Sequence, residues 1–99
     1  MSYEIVFPSD RLENEFEKAQ GKIPEDYKTV IIKSIRSLSI NPRPEGKKYK
    51  KLKGRLVISN FIAQYRLRFG PYRILYDIDE TRKKVILLKL LKRDEHTYG

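Results

Sequence analysis

Tyr65-Arg66-Leu67-Arg68-Phe69-Gly70-Pro71-Tyr72-Arg73-Ile74-Leu75-Tyr76-Asp77-Ile78 reads as two strands folded back on each other around Gly70-Pro71. In the first strand Tyr65, Leu67 and Phe69 fall on one face, and Gln64, Arg66 and Arg68 on the other. The second returns with Tyr72, Ile74, Tyr76 and Ile78 on one face and Arg73, Leu75 and Asp77 on the other. Aromatic and β-branched residues favour strands, and a short link containing glycine favours a hairpin. The hairpin therefore carries an apolar face to pack and a row of arginines behind it.

Working outward, Tyr3–Phe7 is a short β-rich run stopped by Pro8. Ser9 or Asp10 caps a helix carrying Leu12, Phe16 and Ala19 at helical spacing, which Gly21 ends. Pro24 opens a second helix, with Glu25 and Asp26 at the positive end of its dipole. Its stripe is Tyr27, Val30, Ile31, Ser34, Ile35 and Leu38, and Asn41-Pro42 terminates it. Leu56–Phe69 reads as a long β-rich stretch, bent or interrupted near Ser59-Asn60. The nearly unbroken apolar run within Lys83–Lys92 reads as a strand buried on both faces. The expected fold is α+β in the order β-α-α-β-β-β, with two antiparallel helices on one face of a mostly antiparallel sheet. The other face is expected to be open, with Arg66 and Arg68 pointing into it.

Ninety-nine residues suit a single domain spanning 1–99. No apolar run reaches the ~20 residues of a membrane-spanning helix, and Tyr3–Phe7 is too short for a signal peptide. With no cysteine there is no disulfide, thiolate metal site or cysteine nucleophile, and a lone histidine excludes a His-rich metal site. A cytoplasmic protein without membrane contact, metal or other cofactor is expected.

The net charge of +9 is unevenly placed. Residues 1–42 hold six basic against seven acidic residues, a net of −1, and residues 43–99 hold sixteen against six, a net of +10. Such asymmetry points to a polyanion, nucleic acid first. The densest stretch, Arg43–Arg55, has seven basic residues and one acidic among thirteen. It reads either as a solvated loop or as a phosphate-contacting arm built from Lys48, Lys50, Lys51, Lys53 and Arg55. In the second reading Tyr49 stacks on a base, and Leu52 anchors the end of the loop to the core.

Lys51-Leu52-Lys53-Gly54, Tyr65-Arg66-Leu67-Arg68, Gly70-Pro71-Tyr72-Arg73-Ile74-Leu75-Tyr76, and Lys92-Arg93 with Tyr98 closing, all in this order, resemble the RelE/ParE superfamily of toxin–antitoxin toxins. The likeness runs along nearly the whole chain. It implies a small toxin held inactive by a cognate, acidic antitoxin. The RelE branch of the superfamily enters the ribosomal decoding site and cleaves mRNA there, whereas the ParE branch inhibits DNA gyrase and lacks the nuclease residues. A third possibility is an RNA-binding module that does no chemistry.

Metal-free RNA cleavage requires the ribose 2′-hydroxyl to attack its own phosphate while charge on the phosphorane is neutralised and two protons are moved. Arginine suits the charge step because its planar fork binds phosphate oxygens in pairs and stays ionised. The resemblance places this work on Arg66, Arg68, Arg73, Arg93 and Tyr98. For Arg73, the structural alternative is a salt bridge with Asp77 or Asp79. Some relatives have lysines where this chain has Arg66 and Arg68, and arginine is a poor proton carrier. His96 is then the candidate base by its intrinsic pKa. The helix that closes some relatives at the C-terminus has no counterpart in this sequence.

Overall fold

The structure, a computed structural model, describes residues 2–92. A short strand β1 (Glu4–Val6) leads into helices α1 (Asp10–Gly21) and α2 (Glu25–Leu38). Four strands follow: β2 (Tyr49–Ile58), β3 (Phe61–Phe69), β4 (Tyr72–Asp79) and β5 (Lys84–Lys92). They form one sheet in the order β1-β5-β4-β3-β2, antiparallel throughout except where β1 runs parallel to β5. The α+β class, the helix pair and the doubly buried last strand agree with the sequence reading.

Two local readings are refined. Of the two readings of Leu56–Phe69 the interrupted one holds: Ser59 turns left-handed (φ 58°) and Ile58 pairs with Phe61, so the sheet has five strands where the expected order had four. Arg43–Arg55 is not a loop throughout, because Tyr49–Arg55 belongs to β2. Lysines concealed the strand; they are tolerated because β2 is an edge that shows its charges to solvent.

Side-chain chemistry explains the boundaries. The Ser9 hydroxyl accepts from the Leu12 amide at 3.2 Å and caps α1, while α2 starts after Pro24. At the β3–β4 turn Gly70 has φ +57°, and a Cβ there would lie 2.5 Å from the Tyr27 ring. Glycine is required twice over at that point, for the backbone and for the close approach of α2. The Tyr27 and Tyr72 rings meet edge to face at 5.3 Å, so the start of α2 clamps the hairpin tip.

The main core joins Phe16, Ile31 and Leu38 of the helices to Leu67, Phe69, Ile74, Tyr76, Val85, Leu87 and Leu90 of the sheet. A smaller cluster gathers Leu12, Ala63, Leu75, Leu88 and Leu91, with Leu52 packed against it as the sequence suggested. Between these clusters the β4–β5 register slips: Tyr76 faces Leu87 but Leu75 faces Lys89, leaving Leu88 as an extra residue. Such a bulge re-aims the strand and lets consecutive leucines be buried.

The connection from α2 to β2 is stapled to the sheet. The Tyr76 hydroxyl donates to the Pro42 carbonyl at 2.7 Å. Arg43 donates to the Tyr65 hydroxyl at 3.3 Å and pairs with Glu80, which also accepts from the Tyr3 hydroxyl at 2.7 Å and from Lys83 at 3.3 Å. Tyr49, Tyr65 and Tyr76 form a ladder with centroids 5.9 and 5.6 Å apart. These contacts fix where the basic strand β2 begins.

Candidate nucleic-acid interface

Residues directly opposite on neighbouring strands share a face of the sheet. Lys50 pairs with Arg66, Arg66 with Leu75, and Leu75 with Lys89. One row thus crosses four strands, basic at three of its four positions. A second row, Arg68–Arg73–Leu91, lies two residues along the strands, about 7 Å away. The Arg68 amide donates to the Lys48 carbonyl at 2.9 Å, which brings the start of β2 to the same place.

This face is not open, as the sequence alone suggested. Arg66 is only 7% exposed and Arg73 only 4%, and Leu75 between them is fully buried. Lys50 and Lys89 are exposed and Arg68 is half-buried. The arrangement is a floor of leucine carrying buried guanidinium groups, rimmed by lysine. The second leucine cluster, with Leu75 and Leu91 beside the arginines, accounts for the burial, which strand alternation cannot report.

Electrostatics within the floor are unfavourable. Burial first, then the positive charges of Arg73 and Arg68, push Arg66 below the ordinary arginine range. Arginine nevertheless stays ionised near neutral pH. Among the described residues the buried Nε of Arg66 has no hydrogen-bond partner and no carboxylate within ion-pair distance. A buried donor of this kind costs stability unless an acceptor is supplied. On the same face, Asp77 accepts from Gln64 at 3.2 Å, and burial raises its carboxyl above the usual range. Asp79 pairs with Arg82. An anionic oxygen would supply the acceptor that Arg66 Nε lacks among the described residues.

The other expected residues divide. Lys50 joins the arginine row, whereas Lys51 pairs with Tyr65 and so faces the opposite way. Lys53 and Arg55 occupy the irregular stretch between Lys51 and Leu56, where Gly54 has φ +77°. Tyr49 stacks on Tyr65 within the protein. Arg93, His96 and Tyr98 lie outside the described residues. Sequence reasoning missed Lys89; its signal was the polar interruption of the apolar run on β5. Among the described residues no group of three potential metal ligands occurs, and no helix is long and apolar enough to cross a membrane.

Two helices against an antiparallel sheet, with a buried arginine cluster on its other face, define a small basic α+β domain of the RelE type. A profile described as "ParE toxin of type II toxin-antitoxin system, parDE" matches residues 6–97, and the chain belongs to this family, within the RelE/ParE superfamily. It is a toxin of the type II toxin–antitoxin class. Among solved structures it is similar to the archaeal RelE of a RelE–RelB complex from Pyrococcus horikoshii OT3. That match has 25% identity and TM-score 0.72, and covers 97% of this chain and 100% of that one. In the toxin–antitoxin complex RelBE2 of Mycobacterium tuberculosis the figures are 21% and 0.64, covering 94% and 100%. For the YoeB dimer of Staphylococcus aureus they are 22% and 0.62, covering 99% and 100%. Comparison with curated protein sequences yields no match.

Proposed function

We propose that this toxin inhibits translation by cleaving mRNA on the ribosome without a metal, at the face formed by Arg66, Arg68 and Arg73. The observation that carries the reading is the buried Nε of Arg66, without a hydrogen-bond partner among the described residues, beside two further guanidinium groups. The 2′-hydroxyl of a ribose attacks the adjacent phosphorus and the bond to the 5′-oxygen breaks. A 2′,3′-cyclic phosphate and a 5′-hydroxyl result. Negative charge builds on the phosphorane oxygens, and Arg66, Arg68 and Arg73 meet it with charge-assisted hydrogen bonds. The floor is already desolvated, so those bonds are stronger there than in water.

The hydroxyl proton needs an acceptor and the leaving oxygen needs a donor. By resemblance these steps fall to the tail: His96 takes the 2′-hydroxyl proton and, as imidazolium, returns a proton to the leaving 5′-oxygen, Tyr98 stacks on a base or activates the attacking hydroxyl, and Arg93 adds charge. Lys48, Lys50, Lys51, Lys53 and Arg55 extend the positive field along the RNA and speed encounter. The cognate antitoxin is an acidic protein that covers the arginine face, in keeping with the RelB-bound state of the Pyrococcus relative. Action at the decoding site of the ribosome would place the toxin in the cytoplasm.

A second reading has an observation of its own: the matching family profile is that of ParE toxins. In that reading the same face binds DNA gyrase and no bond is cut. Primer extension on a translated mRNA, with and without ribosomes, separates the two. Cuts at defined codon positions only when ribosomes are present support the nuclease. Intact mRNA together with loss of gyrase supercoiling at micromolar protein supports the alternative.

A further inference from the structure

The basic face ends in a carboxylate. Along β4, Arg73, Leu75 and Asp77 alternate on one side of the sheet, with Asp77 one row beyond Leu75, about 7 Å further along the strand. Leu75 is the cross-strand partner of Arg66, so Asp77 is the diagonal neighbour of Arg66. It neutralises no arginine there, because among the described residues Asp77 enters no ion pair. Its side chain is met instead by Gln64, whose amide nitrogen donates to Asp77 Oδ1 at 3.2 Å. The next carboxylate on the strand, Asp79, is held by Arg82.

Gln64 is exposed and Asp77 half-buried, so the pair is open to a ligand. Half-buried Phe61 and Ile86, the latter opposite Asp77 on β5, both pack against the leucine cluster that contains Leu75. A carboxylate repels phosphate, so an RNA whose phosphates lie on Arg66 and Arg68 turns a base, not its backbone, toward Asp77. An acceptor for the 2′-hydroxyl proton must come within about 3 Å of that hydroxyl, beside the phosphate itself. Asp77 lies a row away and beyond ion-pair reach of Arg66, which suits the far edge of a nucleotide and not its 2′-oxygen.

The pair presents three groups side by side: the second N–H of the Gln64 amide, then the two oxygens of Asp77. That order is donor, acceptor, acceptor. The Watson–Crick edge of guanine is its complement, with O6 accepting and N1–H and N2–H donating. No other standard base has two adjacent donors beside an acceptor. We infer that Gln64 and Asp77 form a subsite that selects guanine next to the phosphate held at Arg66 and Arg68. Asp77 accepts from N1–H and N2–H of the base and Gln64 donates to O6. The inference rests on the RNA-binding reading of the arginine face.

The test uses the full chain and single-stranded RNA hexanucleotides that are uridine except at one position, which holds guanosine, inosine or adenosine. By fluorescence anisotropy the guanosine probe should bind about tenfold more tightly than the adenosine probe. Inosine, which lacks the N2 amino group, should fall between them. Asp77→Asn should equalise guanosine and adenosine or reverse their order, with adenosine bound at least as tightly as before. Gln64→Ala, at an exposed position, should lose part of the preference. A wild type that binds the three probes alike, or that prefers adenosine, overturns the subsite and leaves the arginine face standing. So does a guanosine preference that survives in Asp77→Asn. If the wild type binds none of the probes, the RNA-binding reading itself fails and the inference with it.

Discussion

Two arginines of this protein sit in opposite circumstances. Arg43 is paired with Glu80, donates to Tyr65 and lies over the Tyr65 ring at 5.5 Å. Its partners, Glu80 first, hold its pKa above the ordinary arginine range. Arg66 is far more buried, lies among other guanidinium groups, and is pushed the other way. The first arrangement is complete within the chain and ties the segment before β2 to Tyr65 of β3 and to Glu80 after β4. The second has, among the described residues, no acceptor at the buried Nε and no carboxylate in ion-pair range. In the proposed function an RNA phosphate supplies both.

The comparison can be broken from either side. Leu75→Ala, which empties the floor beneath the arginines, should cost about 2–5 kcal/mol. That corresponds to a fall of about 10 °C or more in Tm by calorimetry. A smaller loss would mean that the floor is not packed as described. Arg66→Met should keep or raise Tm, because a poorly compensated buried charge is replaced by an apolar side chain. The same variant should bind single-stranded RNA about tenfold more weakly, with a salt slope lower by about one, as read by fluorescence anisotropy.

On the other side, Tyr76→Phe removes the bond to the Pro42 carbonyl and should cost about 1 kcal/mol in urea unfolding, with RNA affinity unchanged. The smallest effect belongs to Glu80. Bonds from Tyr3 and Arg43 hold its carboxyl at about 2, below its ordinary value of 4.5. A depressed carboxyl adds stability above its unfolded pKa, and that contribution fades as pH falls from 4.5 through about 2. Glu80→Gln should therefore flatten the acid limb of the stability curve. Equal slopes for both proteins across that window would show that the Arg43 staple carries no linkage.

Much of this was legible in the sequence, for identifiable reasons. Strict alternation in Tyr65–Ile78 placed Arg66, Arg68 and Arg73 on one face, and the register bears this out. Ser9, Pro24 and Gly70 marked their boundaries through chemistry that acts locally. The strand status of Tyr49–Arg55 was hidden, because an edge strand tolerates a composition that reads as loop. Burial of Arg66 and Arg73 was hidden too, since alternation tells which side a residue faces and not what covers that side. The Arg43–Glu80–Tyr3 network joins residues 37 and 77 positions apart, beyond the reach of local pattern. His96, Arg93 and Tyr98 rest on resemblance.

The most direct measurement is single-turnover cleavage of a ribosome-bound mRNA by Arg66→Met and Arg43→Met side by side, at a temperature where both are folded. Removing one donor to developing charge typically costs about 10²–10³ in rate. Arg66→Met should lose about that much, while Arg43→Met cleaves at the wild-type rate. Wild-type cleavage by Arg66→Met, or its loss on removal of Arg43 alone, would contradict the account.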